Sequence, residues 1–546
     1  MAVFAPHTSL RHFSMPPDQK AAMRHPLSYP LYRTVWICTL TANISVWMQN
    51  VAAAWLMTSL TRSPLMVALI QTATTLPAFL FCLPAGVLAD QVDRRRLLIL
   101  CHAAMLCTSA LLSVLVWFDL VSPALLLLAT FVLGSGSLLS IPVGQATTSD
   151  VVPRAVLLPA IALNGVAYNA ARAVGPALAG MAIAGFGSGA VFLATSLLFG
   201  AVVAIYGFHY RPPARHVPEP EGMLGAICSG LRYVQHAPVL RDNLYRTMLF
   251  IGCASALWAL LPLVAKQRFG ADPGAYGLLL ASMGGGAVIA GVLLGRLRAR
   301  LSIGTMAAGG PAVFAVTMLG AAWIPHLLPL CAALVAGGAA WVTFTSITNA
   351  AFQTSLPPWV RARALAVMLL TFQGSMALGA IAWGMLAGAI GVAPALTVAA
   401  ALAVAGLGLL RRRPLRMGEE DEVTPGMHIG EPAVVAGLMP QDGPLAVQVT
   451  YLVVPEQRDD FRRQAYRLGI ARRRNGANAW RLYRDTANPD RYIERFLFAS
   501  WAEYLRQQQR ATVSDHGVEA GLLRFLQADY PPCTTYFINE PYPPAE

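Results

Sequence analysis

The chain has 546 residues, 56% hydrophobic and only 12% charged, about half the charged share of a soluble domain, which excludes a wholly soluble protein. The net charge of +13 comes largely from arginines in short loops between apolar runs, so it reports membrane topology rather than nucleic-acid binding. The eight cysteines are scattered without Cys-x-x-Cys or His/Cys spacing and read as small apolar residues in helices, with no metal or cofactor expected.

Residues 1–34 are polar and Pro-rich and lack the pattern of a cleavable signal peptide, so the first span should be an uncleaved anchor. Apolar runs near 20 residues mark membrane spans. Six precede His209: Val35–Met57, Leu65–Ala89, Leu97–Phe118, Pro123–Ala146, Leu157–Ala184 and Ala190–Gly207. A linker, 209–243, follows, in which Met223–Gln235 has the pattern of an amphipathic helix lying on the membrane surface. Six more runs are Leu244–Val264, Ala275–Leu294, Ile303–Trp323, Leu327–Thr348, Ala364–Ala387 and Val392–Leu410. The predicted fold is therefore an all-α polytopic membrane protein of 12 transmembrane helices in two six-helix bundles, 35–208 and 244–410. Counting loop arginines puts Arg94–Arg96, Arg154, Arg296–Arg300, Arg361 and Arg411–Arg413 on one side, against Arg62, Lys266 and Arg268 on the other. The positive-inside rule then makes both termini cytoplasmic.

The two halves repeat. Gly86-Val-Leu recurs at Gly291-Val-Leu, and Thr148-Ser149 before Pro153 recurs at Thr354-Ser355 before Pro357, both at an offset of about 205 residues, as in parallel transporter repeats.

Between the second and third spans stands Gly86-Val-Leu-Ala-Asp90-Gln-Val-Asp93-Arg94-Arg95-Arg96. It resembles the Gly-x-x-x-Asp-(Arg)-x-Gly-Arg-Arg loop of the major facilitator superfamily, with Gly86, Asp90, Arg94 and Arg95 matching, Gln91 in place of the first arginine and Asp93 in place of the second glycine. The Asp-Arg-Arg-Arg variant is similar to the transmembrane secretion effectors, the branch that includes relatives of the enterobactin exporter. The resemblance implies a small-molecule exporter working by alternating access, with a proton as coupling ion, in the bacterial inner membrane. Gly86 would let helices approach. Asp90 would hold Arg94 or Arg95 and face a helix N-terminus, latching one end of the transporter. Fixing topology is a sufficient account of Arg96.

The fifth span contains Asn164-Gly-Val-Ala-Tyr-Asn169-Ala-Ala-Arg172-Ala-Val-Gly175-Pro176-Ala-Leu-Ala-Gly180, which resembles the exporters' Gly-Pro-x-x-(Gly)-Gly motif, with Ala179 where one glycine is usual. Gly175, Pro176 and Gly180 allow a kink and close packing. Arg172 lies roughly 22 Å into the span at 1.5 Å per residue. At that depth it needs protein or a water-filled cavity around it; it either attracts an anionic group on the substrate or pairs within the protein. Asn43, Trp47 and Asn50 share one helical face. With Gln145, Asn169, Trp258, Thr345, Asn349 and Gln373 they are candidates for the substrate cavity, against the alternative of helix–helix hydrogen bonding. Asp90, Asp119, Asp150, Asp242 and Asp272 all sit near span ends, so proton coupling is implied by the resemblance alone. No Gly-x-x-x-x-Gly-Lys-Ser/Thr loop is present, which argues against ATP-driven pumping.

After Arg413 an acidic, Pro/Gly-rich tether, 411–444, leads to a soluble segment, 445–546. Its predicted order is βαββαβ: strands at Val447–Val454, Trp480–Tyr483, Tyr492–Ala499 and Thr534–Asn539, and helices at Gln457–Arg474, Trp501–Thr512 and Val518–Gln527. This is a ferredoxin-like α+β unit. It resembles the small dimeric barrels of the antibiotic-biosynthesis monooxygenase type, implying possible dimerisation through this domain. His516, Trp480, Tyr483, Trp501 and Tyr504 suggest an oxygenase-like pocket, but such aromatics more often form a core or dimer face. No catalytic residues are expected. The leading reading is a secondary exporter. Its rivals are a membrane-tethered enzyme or sensor acting through the tail, and an importer of the same fold.

Overall fold

The computed structural model describes residues 25–208, 210, 223–270, 272–410, 413–426, 439–528 and 530–539, with backbone alone for 82–91, 154 and 223–229. The apolar runs form long helices: α1 (Pro30–Leu60), α2 (Pro64–Gln91), α3 (Arg94–Trp117), α4 (Pro123–Val151), α5 (Arg154–Phe208), a shorter α6 (Met223–His236), then α7 (Pro238–Phe269), α8 (Pro273–Arg300), α9 (Ile303–Trp323), α10 (Leu327–Thr354), α11 (Arg361–Ile390) and α12 (Val392–Leu410). Starts follow local chemistry. Proline opens α1, α2, α4, α7 and α8, where its missing N–H would be unpaired anyway. Asp93 caps α3 by accepting from Arg96 N at 2.8 Å, and Ser302 caps α9 by accepting from Thr305 N at 3.1 Å. These matched two-residue turns, 92–93 and 301–302, are the structural counterpart of the repeat in the sequence.

Among the described residues, ten helices are long and apolar enough to cross a membrane. Two expected spans are counted differently. The fifth and sixth form one helical run, α5, broken by non-helical dihedrals at Gly187 (φ 79°, ψ 170°). The chain reverses there. Tyr32 Oη donates to Ala160 O (2.8 Å) and Arg95 Nε donates to Tyr206 O (2.9 Å) at one end, while Ser113 Oγ donates to Gly189 O (2.8 Å) at the other. The first span, α1, has 31 residues and at about 46 Å is long enough, but Arg33, Asn43, Gln49 and Asn50 make it less apolar.

The helices fall into two compact units. One comprises Met1–Arg62, Pro84–Pro218 and Ala265–Val288; the other Ser63–Leu83, Glu219–Val264 and Ile289–Glu546. Each therefore takes in helix segments from the opposite half of the sequence. In the first unit, Val35, Cys38, Leu97, Val143 and Tyr206 make a buried core where α1, α3, α4 and α5 meet. In the second, Thr72 Oγ1 of α2 donates to Ala377 O of α11 (3.1 Å), and Trp383 Nε1 donates to Gly252 O (2.7 Å).

The expectation for the linker helix needs correction. Tyr233 and Val234 of α6 are buried against Phe352, Leu356, Val360 and Ala364, so the described face of this helix packs on protein, not lipid. The apolar pattern is the same for either environment.

The second unit also holds the soluble tail, with strands β1 (Leu445–Leu452), β2 (Asn478–Arg484), β3 (Arg491–Phe498) and β4 (Cys533–Ile538), and helices α13 (Arg458–Arg474), α14 (Trp501–Arg510) and α15 (Val513–Leu522). The antiparallel order β2-β3-β1-β4 is that of a ferredoxin-like sheet. One face carries Val447, Val449, Tyr451, Trp480, Tyr492 and Phe496 into the core with Phe461 and Leu468 of α13. A Cβ at Gly469 would meet Trp480 Cε2 at 2.5 Å, so that glycine seats the indole on the helix.

Candidate functional site

Three groups of polar residues lie on the helices of the first unit. At the arginine-rich end of the first unit, Arg94 is 9% exposed and its guanidinium donates to the Asp150 carboxylate and to Ala146 O (3.0 Å). Arg95 donates to Tyr206 O and Gly207 O, closing the last carbonyls of α5, an interaction favoured where a helix leaves its C-terminal acceptors unpaired. Asp93, the departure from the family loop, is the N-cap of α3. Gly86 and Asp90 lie in the last turns of α2, and their side chains are outside the described ones. Asp150 is the partner that sequence reading left without a role.

Midway along the first stretch of α5, Arg172 is buried and its guanidinium carbon lies 6.0 Å from the centroid of the Trp47 ring. Tyr168 meets the same indole edge-on at 6.4 Å. Asn43, Trp47 and Asn50 are half-buried on α1. Asn169 is also half-buried, and its amide donates to Gly165 O at 2.9 Å. Gln145 is exposed. Backbones come close here. A Cβ at Gly175 would lie 2.7 Å from Trp47 Cβ, one at Gly180 2.9 Å from Gly277 Cα, and one at Gly284 2.7 Å from Ala173 Cα. The α5 backbone stays helical through Gly175 and Pro176, and the departure falls at Gly187. Gly175 thus serves contact between α5 and α1, and Gly180 and Gly284 serve contact between α5 and α8, as small residues do between membrane helices.

Toward the other end of this unit, the Lys266 amine donates to Thr58 O at the end of α1, and buried Trp55 stacks on buried Tyr276 with ring centroids 6.0 Å apart. These contacts tie the tips of α1, α7 and α8.

The remaining candidates belong to the second unit. Trp258 packs edge-on against Trp341 (5.5 Å), which also meets Phe250, Phe314 and Phe372 within 5.9 Å. Thr345 Oγ1 turns back to Trp341 O at 2.8 Å, Asn349 is exposed and accepts from Gln353 at 3.1 Å, and Gln373 is half-buried. Trp341, the centre of this cluster, is absent from the sequence candidates. An aromatic in an apolar run carries no pattern that separates it from its neighbours.

Long apolar helices of this number make a multi-pass membrane protein. The chain belongs to the transmembrane secretion effector family of the major facilitator superfamily, whose model matches residues 21–543. Among curated relatives, the multidrug efflux pump Tap of Mycobacterium tuberculosis is 26% identical over 417 residues, covering 73% of this chain and 96% of that protein. The staphyloferrin A transporter of Staphylococcus aureus is 20% identical over 349 residues (63% and 87%), and the enterobactin exporter EntS of Shigella flexneri 26% identical over 280 residues (50% and 64%). Solved structures share the fold, two of them as follows. A bacterial homolog of the human lysosomal transporter Spinster, inward-facing and occupied, matches with TM-score 0.59 and 15% identity over 71% of this chain and 97% of that one. The nucleoside transporter NupG matches with TM-score 0.57 and 13% identity over 70% and 98%. The chain is a secondary transporter of small molecules.

Proposed function

We propose that the chain exports a small amphipathic or anionic molecule, siderophore-like or drug-like, across the bacterial inner membrane by alternating access between the bundles 35–208 and 244–410, with both termini in the cytoplasm. The observation that carries this reading is Arg172, a buried guanidinium on a membrane helix beside Trp47 and Tyr168. A cation at that depth is costly unless it faces protein or a water-filled path, and on such a path it attracts an anionic cargo. The naming of relatives as siderophore and multidrug transporters supports the same cargo class. Asn43, Asn50, Gln145 and Asn169 from one bundle, with Trp258, Thr345, Asn349 and Gln373 from the other, serve as polar and aromatic contacts along the path. Gly86, Asp90, Arg94 and Arg95 latch the cytoplasmic end. A proton gradient is the driving force, and the tail regulates or dimerises the transporter rather than catalysing a reaction.

The test is accumulation of a panel of anionic, neutral and cationic compounds in cells expressing the protein, with and without a protonophore. Efflux of an anionic compound that stops with the protonophore and with Arg172→Ala, while Arg172→Lys retains part of it, supports the reading. Equal transport of anionic and neutral compounds by Arg172→Ala overturns the role of the arginine, and net uptake makes the protein an importer.

A further inference from the structure

The tail domain holds a cavity of about 170 Å³ between its sheet and its helices. It is similar in size to an engineered apolar cavity of about 150 Å³ that takes up benzene. Tyr451, Phe496, Tyr504 and Tyr536 give it an aromatic wall, and Arg472 and Glu519 form its polar end. Arg472 donates to Glu519 Oε1 and lies 5.3 Å from the Phe496 ring centroid. Its Nε makes no hydrogen bond among the described residues and stands 3.8 Å from Glu494 Oε1. Glu494 is 2% exposed and accepts from Tyr451 Oη (2.7 Å) and Trp480 Nε1 (2.8 Å).

Two carboxylates thus surround one guanidinium. The His516 imidazole stands beside them, its Nδ1 3.7 Å from Glu519 Oε2. Burial depresses the acidity of the Tyr451 and Tyr504 hydroxyls, so they stay neutral. Aromatic faces and a surplus carboxylate both attract cations; an anion would meet repulsion from Glu519 and Glu494. We propose that this cavity binds a small organic cation, an amine bearing one apolar ring, with its ammonium at Glu519 and its ring against the aromatic wall.

The site is linked to the linker helix α6. Two residues beyond Arg472 on α13, Arg474 pairs with Asp515 at 2.5 Å and lies 5.5 Å from the Tyr233 ring of α6. Asp515 and Glu519 stand one turn apart on α15. An amine that draws Glu519 from Arg472 therefore acts on the same pair of helices that holds α6. This inference is independent of the cargo and direction of transport.

The experiment is isothermal titration of the full-length protein in detergent with phenethylamine, phenylacetate and ethylbenzene. Because the membrane helices can themselves take up an amine, the readout is the difference between the wild type and two variants. Glu519→Gln removes the charge, and Thr534→Trp fills the cavity from an exposed position on β4. Phenethylamine is expected to show a component weakened about tenfold or more by Glu519→Gln, the worth of a hydrogen bond to a charged group, and abolished by Thr534→Trp, with the two analogues lacking it. Amine binding that both variants leave unchanged, equal binding of phenylacetate or ethylbenzene at this site, or no amine binding at millimolar concentration overturns the proposal. Unchanged thermal melting of the variants confirms that they are folded.

Discussion

Arg94 at the start of α3 and Asp150 at the end of α4 form an ion pair that also takes in the Ala146 carbonyl. The arginine is 9% exposed and the carboxylate 23%, so removing one partner strands a largely desolvated charge. Arg94→Ala should cost about 3 kcal/mol, seen as a lower thermal midpoint in detergent, and should cut transport while leaving membrane insertion intact. The double exchange Arg94→Asp with Asp150→Arg should recover part of the loss. Equal stability of Arg94→Ala and wild type would show that the pair does not hold these helix ends together.

Gly277 offers a sharper steric test. A methyl group there would stand 2.8 Å from both Gly180 Cα and Pro176 O. Backbone atoms cannot yield as a flexible side chain does. Gly277→Ala should therefore cost about 1–3 kcal/mol through forced separation of the helices, and Gly277→Leu should abolish transport. Gly285, with nothing within 4 Å of its added Cβ, is the control position; Gly285→Ala should transport normally. Melting curves and transport rates of the three variants separate packing from chemistry.

Docking of the tail on α6 can be read by proteolysis. Arg232 donates to Gly476 O at 3.0 Å and faces Glu503 at 3.6 Å, while Arg510 stacks 4.3 Å from the Trp359 ring centroid. Burial, with Arg506 adding to it, holds the Arg510 guanidinium below its usual value, a cost met here by the indole face. The double variant Arg232→Ala, Trp359→Ala should speed proteolytic release of the tail severalfold under limiting protease without changing the melting of the tail. Unchanged cleavage would mean that these contacts do not hold the domain.

The β2–β3 turn carries a pH signature. Asp485 accepts from the Ala487 amide at 2.8 Å and pairs with Arg491 at 3.1 Å, and these contacts lower its pKa, the backbone hydrogen bonds foremost. A depressed carboxylate stabilises the fold above its unfolded value near 3.9 and loses that contribution as pH falls through the lower folded value. Amide exchange of residues 485–491 should quicken in that acidic window, and Asp485→Asn should quicken it at neutral pH and flatten the dependence.

Much of this architecture is legible in the sequence because it rests on local physics. Apolar runs fix the helices, and alternation fixes β3, expected at Tyr492–Ala499 and found at Arg491–Phe498. What escaped was pairing across distance. Arg172 and Trp47 were both named, yet nothing in a linear chain says that positions so far apart share a contact. Asp150 looked like one more acid at a span end because its partner lies on another helix. The α6 helix was misassigned to the lipid surface because an apolar stripe does not specify what covers it. Of the loop motif, Arg94 pairs with Asp150 and Arg95 with the last carbonyls of α5, partners that the linear sequence does not announce, while the side chains of Gly86 and Asp90 lie outside the described ones.

At Gly187 the chain turns back between two membrane crossings with no intervening connector, on a dihedral pair (φ 79°, ψ 170°) that is essentially confined to glycine and costs other residues about 1–3 kcal/mol. Empty space surrounds the position, so backbone geometry alone demands the glycine. Topology mapping by epitope insertion or by a cleavable tag should therefore fail between residues 184 and 190, where any inserted sequence would unravel two crossings at once; reporters belong instead in the 118–122 and 324–326 connections.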